Sequence, residues 1–434
     1  MLIFAAQATP RLVYILDHLL VHSLGLTYKL TDNPDYFRKS PSLKINYGTS
    51  IVEGCLNIPA STLLFEEKIV EQILLVQKSE TWQYTFFAEE FEEIPDFKVH
   101  TTHLHFDLLA ASFYLLSRYE EYLPSIKDVH NRFKPQGSLA YKNGFLGIPL
   151  IDFWVQKFSE KLKLQYPELT FKEHSFHQIN TIDIDFAYKY KGHNWFAKSR
   201  KLLGSIAKFK PDFNSILPPV KDPYDTYDFL IKEAAAKNIE TLFFLLLADY
   251  GGHDKNISPS SPEMKSLAAR LSESFKCGIH PSYKAALNSV CYKQEHTYFK
   301  ELTQEAPTIS RHHFLKIRVP ETYEQLDQFG IEKDFTMAYS TEVGFRASTS
   351  RPFYLFDLHS NCTLKTLVYS PCVMDVILKN SLGLTPEQSI QKIQELKEEV
   401  KKAKGIFISI WHNSNFDPSQ GWNNWEQVYK SLFE

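Results

Sequence analysis

Beyond about residue 175, the chain repeats a pattern of short apolar runs followed by stretches that have the apolar spacing of helices. Several runs, such as FFLLL at 243–247, are continuously apolar, which is typical of parallel strands buried on both faces. The predicted strands are 177–185, 241–249, 275–280, 306–311, 334–340, 353–358 and 405–411. Strands that alternate with helices in this way predict a (β/α) barrel.

The residues before about 170 follow a different pattern. The segment from Pro10 to Leu26 has helical spacing, whereas LTYKLT and SLKINYG alternate in the manner of short strands. The apolar stretch from His105 to Tyr122 predicts a buried helix. Because the chain also exceeds the usual size of one domain, we expect a smaller α/β domain at 1–172 and the barrel at 173–434.

One helix in the second half has clearly marked ends. Thr385 and Gln388 form a capping box, Pro386 takes the first helical position, and Gly405 is placed to end the helix. The next strand is thereby placed at IFISIW, with His412 at its carboxyl end. Parallel barrels concentrate their catalytic residues at that end of their strands.

Polar residues also end several of the other predicted strands. Asp183 and Asp185 end the first, Asp249 the second and His280 the third, while His312 and His313 follow the fourth. Burying a carboxylate without partners costs several kcal/mol, so a DxD pair at a strand end indicates a metal or acid–base site. The alternative is that Asp185 caps the following turn and Asp183 is exposed. In a barrel, these strand ends would converge on one rim.

The composition is that of an ordinary soluble globular protein, with 44% hydrophobic and 23% charged residues. A net charge of −3 offers no basic surface for nucleic acid, and no apolar run approaches the roughly eighteen residues of a membrane span. The five cysteines lack CxxC spacing, which indicates reduced thiols. Because the N-terminus lacks the basic leader and the full apolar stretch of a signal peptide, we expect a cytoplasmic protein.

The ordered motifs TIDID (181–185), GIHPSYK (278–284), GFRAST (344–349) and IFISIWHN (406–413) resemble those of the polysaccharide deacetylase family. This is the NodB-homology or carbohydrate esterase 4 group, and the resemblance is to its long members with an additional N-terminal domain. It implies a distorted (β/α)7-type barrel preceded by a smaller α/β domain. It also implies a metal-dependent hydrolase that removes acetyl groups from an N- or O-acetylated sugar or polysaccharide precursor.

The resemblance further implies a role for each motif residue. Asp183 would be the catalytic base, Asp185 and His280 would bind the metal, and His412 would be the catalytic acid. Arg346 would orient Asp183 and keep it ionised, because a neighbouring cation lowers a carboxylate pKa. Zinc suits imidazole and carboxylate ligands best, although cobalt, nickel or iron would also fit.

Two aromatic residues are candidates for binding the sugar, namely Tyr188 in the loop after the DxD pair and Trp411 beside His412. For Trp411 the alternative is packing in the core, and for Tyr188 it is simple exposure in a loop.

Two positions depart from the family pattern. The histidine motif should have a second histidine four residues after His280, which would pair with it as a metal ligand. That position is Lys284, which cannot replace histidine as a ligand at neutral pH. His313 is the first choice for a third ligand, with His312, His253 or His193 as substitutes. The acidic motif is DxD rather than two adjacent acids, which turns one carboxylate to the other side of a regular strand.

Two other functions remain open. Lys284 suggests a catalytically inactive member of the fold that binds carbohydrate or a partner protein. A glycosyltransferase that holds a nucleotide-sugar metal through DxD is less favoured, because the N-terminal half has no glycine-rich phosphate loop. The sequence does not predict the sugar, the role of the N-terminal domain or the oligomeric state.

Overall fold

A computed structural model of the chain describes residues 1–88, 103–193 and 221–434. The chain divides into two compact units. The first unit consists of Met1–Phe176, Phe345–Lys365 and Glu399–Gly405, and the second of His177–Gly344, Thr366–Glu398 and Ile406–Glu434. Phe345–Lys365 and Glu399–Gly405 therefore belong to the same unit as the N-terminal residues, and the division at residue 172 stays a prediction.

The strands of the described residues are numbered in chain order. They are β1 (Leu2–Phe4), β2 (Lys29–Thr31), β3 (Lys44–Gly48), β4 (Leu56–Pro59), β5 (Gln77–Ser79), β6 (Gln83–Thr85), β7 (His177–Ile184), β8 (Glu240–Leu245), β9 (Lys276–Ile279), β10 (Ile309–Ser310), β11 (Lys333–Asp334), β12 (Phe353–Asp357), β13 (Cys362–Val368), β14 (Val373–Met374) and β15 (Ile406–His412).

The α-helices of the same residues are α1 (Pro10–Leu16), α2 (Pro34–Lys39), α3 (Leu108–Leu116), α4 (Tyr119–Tyr122), α5 (Leu139–Lys142), α6 (Leu150–Gln165), α7 (Tyr227–Ala235), α8 (Pro262–Ser274), α9 (Ser289–Thr303), α10 (Glu321–Gln328), α11 (Pro386–Ala403) and α12 (Trp425–Ser431). Short 3-10 turns span Thr62–Phe65, Pro135–Gly137, Ala285–Leu287, His313–Leu315 and Pro418–Gln420, and π-helical turns span Asp17–Ser23 and Ile377–Ser381. Within the described ranges, no helix has both the length and the apolar character needed to cross a membrane.

In the first unit, a parallel sheet has the strand order β2-β1-β3-β4. Its strands β2 and β3 correspond to the predicted LTYKLT and SLKINYG segments. The predicted helix at 105–122 is present but interrupted, because Arg118 adopts a left-handed conformation (φ 54°) between α3 and α4. The expected small α/β architecture of this region is therefore present.

In the second unit, the strands follow the order β13-β11-β10-β9-β8-β7-β15-β14, and β13 contributes residues 366–368 to it. The pairings between these strands are parallel. Its apolar centre includes a cluster of buried residues from four of the strands and the position after β11, namely Ile179, Leu242, Phe244, Ile309, Phe335 and Ile408. The continuous apolar runs thus correctly predicted a buried parallel sheet flanked by helices.

The predicted strand lengths are less accurate at β11, which was expected to extend over 334–340. The strand stops at Asp334, whose carboxylate accepts hydrogen bonds from the backbone N–H (2.9 Å) and the hydroxyl (2.6 Å) of Thr336. Such side-chain contacts to the nearby backbone compete with strand pairing. The short strand β14 and the strand β13 were not predicted at all.

The capping of α11 agrees with the prediction. Thr385 Oγ1 accepts from the Gln388 N–H (3.3 Å), and Gln388 Oε1 accepts from the Thr385 N–H (2.9 Å). β15 begins at Ile406, immediately after Gly405, and its last residue is His412. The helix ends thereby fixed the position of the strand that presents His412.

Candidate metal centre

The carboxyl ends of several strands bring polar side chains together in the second unit. Asp183 lies within β7 and Asp185 directly follows it, while His280 directly follows β9. His412 ends β15 and is paired in register with Asp183 of the neighbouring strand. His313 lies three residues beyond β10. The predicted convergence of strand ends is confirmed for these residues.

Asp185, His280 and His313 form a group that could hold a metal ion. One ligand atom from each residue lies within 4.8 Å of the others. Nε2 of His280 is 3.1 Å from Asp185 Oδ1, and Nε2 of His313 is 3.3 Å from Asp185 Oδ2. Because β7 ends at Ile184, Asp185 is outside the regular strand, which resolves the alternation problem that the DxD spacing posed.

The imidazole rings of this triad are held in one orientation. Nδ1 of His280 contacts the backbone oxygen of Arg311, and Nδ1 of His313 lies 2.8 Å from Oδ1 of Asp254. Both partners can only accept, so each Nδ1 carries the proton and each Nε2 can present a lone pair. Oxygen acceptors behind the rings are the usual support of histidine ligands.

The surroundings of one carboxylate oxygen of Asp185 are suited to a cation. Its Oδ1 atom is buried and accepts no hydrogen bond from the residues that the structure describes. Buried acceptors normally have a partner, and a carboxylate oxygen that faces imidazole nitrogens is suited to a cation. The donor set therefore fits a divalent metal.

The charges of the centre are strongly coupled. Burial alone would raise the pKa of Asp185, but the charges of His313 and His412 and the close approach of the His280 and His313 rings hold it well below its ordinary value. Burial opposes a charge on His313, yet Asp185 and Asp254 raise its pKa to about 9. The carboxylates thus favour positive charge among these rings.

Asp183 has a different partner from the one that the sequence suggested. Its Oδ1 accepts from Arg311 Nη1 at 2.7 Å, and its Oδ2 is 3.9 Å from Nε2 of His280. Arg311 is completely buried and also donates to Thr181 Oγ1 (2.7 Å) and to the Phe335 carbonyl (3.0 Å). The arginine is therefore fixed against Asp183 by a charged hydrogen bond.

The predicted partner of Asp183, Arg346, lies in the first unit. There its Nε and Nη2 donate to the two carboxylate oxygens of Glu121, at 2.9 and 2.6 Å. The cation that contacts Asp183 is Arg311. Residues 345–365 belong to the first unit, and a role of Arg346 at Asp183 stays a prediction. Arg311 could have been noticed in the SRHHF motif, two residues before His313.

His412 is supported by a carboxylate that the sequence did not indicate. Its Nδ1 is 2.8 Å from Asp375 Oδ1, and its backbone N–H donates to Asp375 Oδ2 (2.9 Å). Asn415 donates to the same Oδ2 atom at 2.8 Å. Burial disfavours the charged ring, but Asp375 and Asp185 raise the pKa of His412 to about 10. Its Nε2 lies 3.6 Å from Asp185 Oδ2.

The two predicted sugar-binding aromatics are both buried. Trp411 is 1% exposed and packs against Phe416 and Tyr429, because strand alternation turns it away from the face of His412. The core role weighed against stacking is therefore the observed one. Tyr188 is 7% exposed, and its ring lies edge-on to Tyr227. Neither ring presents an open face for a sugar.

The three histidines named as alternatives to His313, namely His312, His253 and His193, do not belong to the triad. Both ring nitrogens of His312 are buried without a hydrogen bond to any described residue, and burial lowers its pKa to about 3. His253 stacks on Tyr283, and His193 contacts the Tyr188 carbonyl at 3.1 Å. Lys284 is exposed. His313 is thus the histidine that completes the triad.

Comparison with known proteins adds the following. Residues 1–167 match a family model described as a family of unknown function, DUF7033. No curated protein matches the chain. The chain is similar to the crystal structure of a putative polysaccharide deacetylase from Mycobacterium smegmatis, with 12% identity over 60% of this chain and 83% of that chain, and a TM-score of 0.38.

Two further solved structures show similar values. A polysaccharide deacetylase from Bacillus cereus has 9% identity, coverage of 60% of this chain and 86% of that chain, and a TM-score of 0.30. A GH57 branching enzyme from Thermococcus kodakaraensis has 8% identity, coverage of 60% and 68%, and a TM-score of 0.34. At these scores the likeness carries no inference about activity.

Proposed function

We propose that the second unit is a metal-dependent hydrolase that removes an acetyl group from an N- or O-acetylated sugar. The observation that carries the proposal is the meeting of Asp183, Asp185, His280, His313 and His412 at the carboxyl ends of parallel strands. Four of the five residues belong to the ordered motifs that resemble polysaccharide deacetylases. His313 supplies the histidine that the second motif lacks.

The proposed metal ligands are Asp185, His280 and His313. Zinc suits one carboxylate and two imidazoles, and three protein ligands leave a position open for water or substrate. When bound, the ion would lower the pKa of that water and polarise the acetyl carbonyl. Arg311 and Asp254 hold two of the ligands through their contacts to Nδ1 of His280 and His313.

The remaining residues are suited to moving protons. Asp183, which accepts a hydrogen bond from Arg311, would accept the proton of the attacking water. His412, whose pKa is raised by Asp375, would donate a proton to the departing nitrogen or oxygen of the sugar. Each side chain thus has a neighbour of opposite charge that suits its role.

We further propose that the sheet of this unit closes into a distorted (β/α)7-type barrel. The parallel pairing of its strands and the gathering of polar residues at their carboxyl ends support this architecture.

The test is acetate release from a panel of N-acetylated and O-acetylated sugars by the zinc-loaded full chain. We expect release from at least one sugar, its loss on chelation and its recovery when zinc is returned. Zinc-loaded protein that releases no acetate from any member of the panel would contradict the proposal.

A catalytically inactive, carbohydrate- or protein-binding role is the second candidate, because Lys284 occupies the position of the second histidine in the motif. Elemental analysis separates the two candidates. An active site built on His313 requires near-stoichiometric metal, whereas an inactive binding module requires none.

A further inference from the structure

The first unit contains a cavity of about 380 Å³ at the carboxyl edge of its parallel sheet. Its walls come from the residues at and after the ends of β1, β3 and β4, and from α2, which begins shortly after β2. This volume lies within the roughly 300–1,000 Å³ that is typical of small-molecule sites.

The cavity lies at the point where the strand order of the sheet reverses. From the central strand β1 the chain runs to β2 on one side, and then crosses to β3 on the other side. Loops that leave neighbouring strands in opposite directions open a crevice at the carboxyl edge, which is where such sheets bind their ligands. Phe4 and Gly48, at the ends of β1 and β3, both line the cavity.

Hydrogen bonds hold the walls in place. A buried carboxylate, Asp107 Oδ2, accepts from Tyr47 Oη (2.8 Å) and from both the N–H and the hydroxyl of Ser61 (2.7 and 2.9 Å). The loop after β3 is fixed by Asn46 Nδ2, which donates to the Ser50 carbonyl (2.7 Å) and to Asn57 Oδ1 (2.9 Å). The cavity is therefore formed before any ligand enters, which reduces the entropy lost on binding.

The lining combines aromatic rings with a single positive charge. Phe4 and Phe65 are half-buried at the cavity, and each packs on a fully buried ring, Phe37 (centroids 5.5 Å apart) and Tyr47 (5.7 Å apart), respectively. Among the described residues that line the cavity, Arg38 carries the only charged side chain. Aromatic rings favour a flat aromatic partner, and an arginine side chain favours an anion.

The charge of Arg38 is available for a ligand. Its side chain is 67% exposed, and its Nη1 lies 3.7 Å from Oδ1 of Asp35, whose side chain is 78% exposed. Exposed pairs at this distance are weak. The hydroxyls of Thr49 and Ser50 also lie at the cavity, so a ligand could form neutral hydrogen bonds there as well.

We propose that this cavity binds a nucleotide. The base would lie against the aromatic walls, the ribose would face the hydroxyls, and the phosphate would reach Arg38. A purely apolar ligand would leave the arginine and hydroxyls unused, and an uncharged sugar would leave the arginine unused. Because this part of the chain has no glycine-rich phosphate loop, the phosphate contact is assigned to the arginine side chain.

The experiment is calorimetric titration of the full chain with UMP and AMP, compared with uridine, adenosine and ribose 5-phosphate. We expect saturable 1:1 binding of at least one nucleotide. The matching nucleoside and ribose 5-phosphate should each bind at least about tenfold more weakly, because each lacks one of the two recognised parts. Absence of binding by both nucleotides, or ribose 5-phosphate binding as tightly as they do, overturns the proposal.

Two substitutions test whether the nucleotide binds in this cavity. Arg38→Glu reverses the exposed charge, and Ala60→Phe fills the cavity from its wall. Each should weaken nucleotide binding at least about tenfold, with the thermal midpoint measured to confirm folding. Lys39→Glu is the matched control, because Lys39 is an exposed neighbour in α2 that does not line the cavity. Equal weakening by Lys39→Glu would mean non-specific attraction and would refute the site.

Discussion

The two units of this chain both present a carboxyl edge of a parallel sheet, yet the two edges hold opposite kinds of side chain. In the second unit the edge carries Asp183, Asp185 and three histidines. In the first unit the edge is walled by aromatic rings and bordered by Arg38. The same backbone arrangement thus presents charged side chains in one unit and mainly aromatic ones in the other, and the side chains decide what each edge is suited to.

Two buried carboxylates show the difference most clearly. Burial raises the pKa of Asp107 in the first unit to about 6, even though four hydrogen bonds oppose the shift. Asp185 in the second unit is also desolvated, but neighbouring histidines hold its pKa well below the ordinary value. A buried carboxylate therefore stays charged where cations face it, whereas neutral donors only reduce the cost of its charge.

The largest expected effect is that of Asp183→Asn, at the carboxyl edge of the second unit, on acetate release. Removing a general base should lower acetate release by about 10²- to 10⁴-fold, while zinc content stays the same because Asp183 is not a proposed ligand. Initial rates and elemental analysis measure the two quantities. Asp249→Asn, at an exposed acid after β8, is the matched control and should retain full activity. Equal losses in the two variants would contradict the role of Asp183.

The next largest effect distinguishes Arg346, which the sequence predicts as the partner of Asp183, from Arg311, which contacts Asp183 in the structure. Arg346 is 2% exposed and bound to Glu121, so Arg346→Ala leaves a buried carboxylate with one cation fewer. We expect the free energy of unfolding to fall by about 3–5 kcal/mol. The zinc affinity and the acetate release of the folded protein should stay unchanged. Denaturant titration and initial rates test this, and a loss of activity without a loss of stability would restore the motif-based role of Arg346.

These two arginines also show how far the sequence could predict the site. The motif GFRAST identified Arg346 as a candidate. A motif does not reveal, however, that residues 345–365 fold with the first unit. Asp183, Asp185, His280 and His412 were found because strong apolar patterns located the strands that end in them. Their mutual placement follows from the parallel sheet.

The supporting residues were missed for a local reason. Asp375 follows β14, a strand of two residues, which is too short to show any periodicity. Asp254 lies in a turn-rich loop, where an aspartate is expected for its turn propensity alone. A side chain that acts through another residue has no pattern of its own in the sequence, and only its contacts identify it.

The pH dependence of stability tests the contrast between the two carboxylates. A carboxyl group whose pKa is raised in the folded state stabilises the protein fully below its ordinary pKa of 3.8, and this contribution is lost as the pH rises through about 6. The stability advantage of the wild type over Asp107→Asn should therefore shrink between pH 4 and 7, by up to about 3 kcal/mol. Urea unfolding at several pH values measures it. The exposed variant Glu160→Gln should show no such trend, and an advantage that grows with pH would reverse the assignment.

The smallest effect concerns the carboxylate behind His313. Asp254 Oδ1 contacts Nδ1 of His313 at 2.8 Å and also accepts from the Tyr283 N–H at 3.0 Å, so it fixes both the ring and the loop after His280. Asp254→Asn keeps the shape of the side chain but lowers the basicity of the proposed ligand His313. Zinc affinity should therefore fall by about 10- to 100-fold. Competition with a chromophoric chelator measures the affinity. Lys284→Ala should leave it unchanged, because Lys284 is exposed. If Lys284→Ala weakened zinc binding while Asp254→Asn did not, the ligand would belong to the second motif after all, and His313 would lose its proposed role.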